Sequence, residues 1–298
     1  MPLQPDLVTE AQNPASDAID SLPTLQLLKV MNEADNEIAL SVQRELPHIA
    51  EAVDRIVDRL EAGGRLFYIG AGTSGRLGVL DASECPPTFN TPPELVQGII
   101  AGGDRALRHS VERAEDDPQQ GKHDLEARNF SGRDALVGIA ASGRTPYVLG
   151  ALDYARSLGA LTVGLSCTTN SQVAAASEIA ITPVPGPEIV TGSTRMRAGT
   201  ATKLVLNMIS TGVMIRLGYV YGNLMVNVQP TNDKLTDRAR RIIVKITGVA
   251  YTEATRLLQE AGSVRVAVLM HELNVPRDQA EHLLAAAKGR LRTALRRK

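Results

Sequence analysis

The stretch Arg65-Leu-Phe-Tyr-Ile-Gly-Ala-Gly-Thr-Ser-Gly-Arg-Leu-Gly78 decides the fold. Its first half is almost wholly apolar and has the length of one strand. Its second half is a turn of glycines and hydroxyls, followed by helical spacing from Arg76. Four further segments repeat the apolar half: Leu95–Gly102, Ala135–Ala141, Leu161–Ser166 and Ile179–Val184. Strands apolar throughout are those of a parallel sheet covered on both faces. Helical patterns separate them, at Arg76–Ala82, Ala106–Glu115, Pro146–Leu158 and Ser171–Ser177. The alternation predicts an α/β fold, a doubly wound parallel five-stranded sheet.

Outward from this block, residues 1–22 are polar and proline-containing and read as an irregular arm. Helical spacing runs from Thr24 to Ala62 and stops at Gly63-Gly64. Beyond the strands, a long apolar helix is expected over Ala198–Leu217, closed by Gly218. Another is expected over Asn232–Thr247, with Asn232 as N-cap. From Ala250 onward about three short helices are expected.

The chain has 298 residues, a formal net charge of -1, 3% aromatics and no Trp. That balance offers no bulk attraction to nucleic acid or a membrane surface, and few platforms for base stacking. No apolar run reaches the roughly 18 residues of a membrane span. The first residues lack a basic segment leading into an apolar one, so a cytoplasmic location is expected. The two cysteines, Cys85 and Cys167, stand far apart and in no metal-ligand spacing.

In an open α/β sheet, ligands bind beyond the carboxyl ends of the strands. After the first strand, Gly72, Thr73, Ser74 and Gly75 offer close backbone approach, hydroxyl donors and the free N–H groups of a helix start. This is an anion site by chemistry. It has neither the spacing of a P-loop nor the acidic partner of a dinucleotide fingerprint. After the third strand, Ser142, Gly143, Arg144 and Thr145 repeat the device, with Pro146 at the first helical position. A third polar cluster, Ser193, Thr194 and Arg195, again precedes a helix. Each loop alone reads equally as a tight turn, a cap or a solvated helix end. Two on one sheet point to a shared site for a phosphate.

Chemistry on a bound ligand needs an acid and a base. Glu84, in Asp81-Ala-Ser-Glu-Cys-Pro-Pro-Thr88, and Glu115, in Arg113-Ala-Glu-Asp-Asp-Pro118, each stand where prolines are expected to end a helix. A carboxylate is electrostatically disfavoured at a helix C-terminus. Both also fit ordinary exposed helix ends. A helix of ten residues would carry Glu84 about 15 Å from its start. A short helix, a bent return or a dimer contact would each resolve that distance. His109 and His271 read as surface or cap residues. No nucleophilic triad or metal-ligand cluster is present in the sequence.

Eight stretches together resemble the N-acetylmuramic acid 6-phosphate etherase family, within the SIS sugar-phosphate-binding group related to glucokinase regulatory protein. They are Leu7–Asn13, Tyr68–Gly78, Ala82–Thr88, Ala101–Asp104, Ala114–Asp117, Ala141–Tyr147, Thr191–Arg195 and Tyr221–Met225. They run in order through most of the chain. Two departures, Met196-Arg197 where the family usually has Leu-Lys and Asn227 where it usually has Asp, leave both glutamates untouched. The resemblance implies a flavodoxin-like sheet and three regions: an N-terminal arm and helices over 1–54, a SIS domain over 55–220, and a helical region over 221–298. It implies cleavage of the D-lactyl ether of an amino-sugar phosphate in cell-wall sugar recycling, without cofactor or metal, by a homodimer. It makes Glu84 the proton donor to the lactyl oxygen and Glu115 the base at C2. The alternatives on this fold are an aldose–ketose isomerase and a non-catalytic sugar-phosphate sensor, the latter normally with two such modules.

Overall fold

The computed structural model describes residues 8–229 and 232–296. The first residues of the arm and the last two of the basic C-terminus lie outside them. The arm from Val8 to Ser21 is three short 3-10 turns. Helices α1 (Thr24–Arg44) and α2 (Leu46–Glu61) follow. The continuous helical spacing conceals a break at Glu45, because Pro47 has no N–H to give to the Gln43 carbonyl and its ring crowds that carbonyl. In α2, Ile49, Val53, Ile56 and Leu60 share the buried face.

The sheet comprises β1 (Leu66–Gly70), β2 (Val96–Ile100), β3 (Ala135–Ile139), β4 (Leu161–Leu165) and β5 (Ile179–Ile181). All pairings are parallel, in the order β2-β1-β3-β4-β5. The doubly wound five-stranded sheet expected from the sequence is therefore present. The chain reverses direction across the sheet between β1 and β3, so the crevice for a ligand opens beyond those two strand ends.

Between the strands lie α3 (Gly72–Phe89), α4 (Arg105–Arg108), α5 (Pro118–Glu126), α6 (Pro146–Ser157) and α7 (Gln172–Ala175). Two expectations are corrected here. Helix α3 does not end before Pro86 and Pro87 but carries both inside it. Each proline removes one backbone donor, and the turn recloses as the Asn90 N–H donates to the Pro86 carbonyl at 2.8 Å. Glu115 is not at a helix end. Only Arg105–Arg108 of the expected Ala106–Glu115 helix forms, and turns follow it. Pro118 opens α5 rather than closing a helix, with Asp117 accepting from the Gln119 and Gln120 N–H groups as its cap.

Helix α8 (Arg197–Leu217) precedes α9 (Asp233–Thr247), α10 (Tyr251–Ala261), α11 (Val264–Leu273), α12 (Arg277–Ala286) and α13 (Leu291–Leu295). Four helices thus follow Ala250, not three. The Asn232 side chain caps α9 by accepting from the Leu235 N–H at 2.9 Å.

Two compact units emerge. One holds residues through Ser83 together with Pro93–Ser210, and the other Glu84–Pro92 with residues from Thr211 onward. The core of the first includes Phe67, Ile69, Leu125, Leu136, Tyr147 and Leu152. The core of the second is built on Ile243, Leu257, Val264, Val268 and Leu291. In the second unit, the Asn227 side chain donates to the Phe89 carbonyl at 2.5 Å. It thereby ties the segment after α8 to the end of α3.

Asp134 fixes β1 against β3. Its buried carboxylate accepts from the Arg65 N–H at 2.8 Å, from the Arg65 guanidinium at 2.9 and 3.2 Å, and from the Ser131 N–H at 2.8 Å. Burial alone would raise its pKa. The Arg65 hydrogen bonds and charge, with the Ser131 donors, outweigh that and hold it below the ordinary 3.8. A depressed folded pKa stabilises the fold above about pH 4, and that contribution is lost as pH falls through the folded value. Asp134→Ala is expected to lower the unfolding free energy by about 2–4 kcal/mol at neutral pH. Urea denaturation across pH should also show a flatter acid limb than the wild type. An unchanged midpoint and acid limb would remove Asp134 from this role.

Candidate active site

A cleft of about 440 Å³ opens beyond the ends of β1 and β3. From the first loop it is lined by Gly72, Thr73 and Ser74. From the second it is lined by Ser142, Arg144, Thr145 and Pro146. Glu115, Gly192 and Thr194 also line it. The two expected phosphate loops thus meet one cavity, and the third cluster joins it through Thr194. The starts of α3 and α6 both contribute to the lining, so two sets of unbonded helix N–H groups serve the same space.

The remaining glycines of those loops shape the backbone behind the cleft. A Cβ on Gly75 would lie 2.6 Å from the Gly70 carbonyl oxygen and 2.7 Å from Ile100 Cγ1. Only glycine lets the first turn of α3 sit so close to β1. Gly143 is left-handed, at φ +70°, and a Cβ there would fall 2.2 Å from Ser171 Cβ. Its N–H donates to the Ala140 carbonyl at 2.8 Å, and its carbonyl accepts from the Val173 N–H at 2.9 Å. Ser193 and Arg195 lie outside the lining. The exposed Arg195 precedes α8, whereas Arg197 is buried and donates to the Pro187 carbonyl. Buried Glu188 caps α8, accepting from the Arg197 and Ala198 N–H groups at 2.9 and 3.0 Å.

Glu115 is placed by its backbone. Its carbonyl accepts from the Tyr147 N–H at 3.0 Å, pinning the turn to the first turn of α6. The Tyr147 hydroxyl donates to Asp124 at 2.5 Å, and burial with this partner drives the phenol pKa far up. Glu115 lines a second cavity too, of about 210 Å³, which shares Ala71 and Gly72 with the cleft.

Glu84 is placed differently. It lies on α3, twelve residues beyond Gly72 in sequence, and belongs to the other compact unit. Its side chain is exposed and outside the lining of the cleft. Of the two candidate carboxylates, Glu115 lines this cleft and Glu84 does not.

Glu10 and Asp116 line the cleft as well. Glu10 pairs with Arg144 at 3.8 Å. The arm carrying it is fastened by the Asn13 side chain donating to the Pro187 carbonyl, and by the Ser16 hydroxyl donating to the Ile189 carbonyl. Nothing in the spacing of a polar arm marks Glu10 as a site residue. Its only sequence signal is the Leu7–Asn13 stretch. Cys167 is buried, and burial pushes its thiol up to about 12, which disfavours the thiolate at neutral pH. Among the described residues no cluster of His, Cys, Asp and Glu could hold a metal ion, and no helix is long and apolar enough to cross a membrane.

The family described as glucokinase regulatory protein N-terminal SIS domain matches residues 48–156. An N-acetylmuramic acid 6-phosphate etherase from Caldanaerobacter subterraneus subsp. tengcongensis is 53% identical, over 98% of this chain and 96% of its own. A protein of the same name from Rhodopirellula baltica is 55% identical over 96% of this chain and 95% of its own. Among solved structures, a phosphoheptose isomerase from Neisseria gonorrhoeae superposes with a TM-score of 0.50 at 17% identity, over 64% of this chain and 98% of that one. That likeness is one of fold. Near-complete coverage at more than half identity, together with two phosphate-type loops and Glu115 on one cleft, places this chain in the N-acetylmuramic acid 6-phosphate etherase family.

Proposed function

We propose that this chain cleaves the D-lactyl ether of N-acetylmuramic acid 6-phosphate, giving N-acetylglucosamine 6-phosphate and D-lactate, in cell-wall amino-sugar recycling. The observation that carries this reading is Glu115 on the wall of a cleft that two helix N-termini and their hydroxyls make suitable for a phosphate.

The C6 phosphate is held by the α3 and α6 N-termini, Thr73, Ser74, Ser142 and Thr145. Such a site holds a dianion with N–H and O–H donors, in keeping with a net charge of -1. In the open-chain sugar the C1 aldehyde acidifies the C2 hydrogen. Glu115 takes that proton, the electron pair moves into a C2–C3 double bond, and the C3–O bond breaks. Glu84 protonates the departing lactyl oxygen. Water then adds at C3, and a proton returns to C2. The net change is addition of one water across the ether.

The position of Glu84 outside the lining of the cleft supports a homodimer in which Glu84 serves the cleft of the partner subunit.

Glu84→Gln and Glu115→Gln are each expected to lower D-lactate release by roughly 10²–10⁴-fold. Binding of N-acetylglucosamine 6-phosphate, followed by calorimetry, should stay within about twofold because no phosphate donor is removed. Wild-type protein that forms a ketose phosphate and no lactate would instead identify an isomerase.

Mixing the two inactive variants in equal amounts, with subunit exchange, is expected to restore about a quarter of wild-type activity. Half the dimers are then mixed, and each mixed dimer holds one intact site. No recovery after verified exchange would place both glutamates in one chain's site.

A further inference from the structure

We propose that the smaller cavity beside Glu115 is the subsite for the carboxylate of the lactyl group, with Arg113 as its principal contact. This rests on the ether-cleavage reading and adds to it where the leaving group's charge is held.

The charges favour this assignment. The larger cleft carries three carboxylates, Glu10, Glu115 and Asp116. Its cation is Arg144, already paired with Glu10. A phosphate is held there by N–H and O–H donors at the helix starts, but a second anion would meet carboxylates. The smaller cavity is lined by two arginines, Arg76 and Arg113, with His109 and Ser110 beside them. Against these stand Glu112 and Glu115. At about 210 Å³ against about 440 Å³, it suits a three-carbon acid better than a sugar.

The two arginines are prepared differently. Arg76 donates through Nε to the Leu107 carbonyl at 3.2 Å and through one terminal nitrogen to the Ala106 carbonyl at 2.8 Å, so it fixes the wall. The Arg113 side chain makes no hydrogen bond or ion pair among the described residues. Its backbone is left-handed, at φ +60°, a conformation arginine adopts at a cost. The Asp116 N–H donates to the Arg113 carbonyl at 3.2 Å and closes that turn. A planar guanidinium forms two parallel hydrogen bonds to a carboxylate.

The connection between the cavities supplies the order of groups. In the substrate the phosphate is on C6 and the lactyl ether on C3, with C2 next to C3. Glu115 lies on both cavities. With phosphate in the larger and lactate in the smaller, the base sits at the junction where C2 and C3 must be.

The test uses Arg113→Asn, since asparagine tolerates left-handed backbone. D-Lactate is titrated by calorimetry into full-length protein saturated with N-acetylglucosamine 6-phosphate, forming the complex of both products. D-Lactate should bind the wild type and bind the variant at least about tenfold more weakly, as expected for one lost charge-assisted contact. N-Acetylglucosamine 6-phosphate should bind both proteins equally, and Arg113→Lys should recover part of the loss. D-Lactate affinity equal in wild type and Arg113→Asn, no D-lactate binding to the wild type, or equal weakening of both ligands would overturn the assignment. Failure of the reaction reading is separate: it shows as wild-type protein that releases no lactate from N-acetylmuramic acid 6-phosphate.

Discussion

The cleft depends on how closely the first turn of α3 approaches the end of β1. With the Gly75 position 2.6 Å from the Gly70 oxygen, no side chain fits between them. The helix N-terminus is consequently pressed against the strand end. Its unbonded N–H groups then face the same space as those of α6, which begins after β3. The strand order places β1 and β3 side by side at the point where the chain reverses direction. Two anion-attracting helix starts converge because the topology makes their parent strands neighbours. Either loop on a different strand would have been a turn and no more.

That arrangement is supported from the far side by buried polar groups. Asp81, on α3, accepts from Asn207 at 2.7 Å and from Ser210 at 3.1 Å, both on α8. Burial pushes its carboxyl above the ordinary value, against hydrogen bonds from Asn207, Ser210 and Tyr68 and the charge of Lys203. The linkage sign is opposite to that of Asp134: the folded state holds this proton more tightly, so Asp81 costs stability as pH rises through its folded value. A buried acid retained against that cost specifies one register between α3 and α8. Thr73, in the first turn of α3, packs its methyl beside Gly199 of α8, and Thr194, just before α8, joins it on the cleft.

The alternation of buried strands and helical spacing made the sheet legible in the sequence, as did the chemistry of the loops at Gly72–Gly75 and Ser142–Thr145. The helix limits around Glu84 and Glu115 were not. A proline run reads as a stop, but Pro86 and Pro87 each remove a single donor and α3 continues past them. Pro118 after an acidic run reads as an end, yet a proline at a first helical position is a beginning, and Asp117 is its cap. Glu10 was invisible because its placement comes from tethers to Pro187 and Ile189, more than 170 residues away in sequence. Long-range contacts of that kind leave no local periodicity. The roles of Glu84 and Glu115 came from resemblance to a family, since two carboxylates near prolines have no spacing that encodes acid and base.

The corrected helix limits bear directly on the chemistry. Had α3 ended before Pro86 and bent back, Glu84 would have had a route to its own loop. Helix α3 runs on to Phe89, so the backbone at Glu84 is helical and does not bend back before Pro86. Glu115 gained the opposite property. Freed from a helix, it sits in a turn pinned to α6 by one backbone hydrogen bond and lines the cleft. A glutamate on a turn that lines the cleft and a glutamate on a long helix outside that lining are unequal placements. In the proposed homodimer each chain contributes Glu115 to its own cleft and Glu84 to that of its partner.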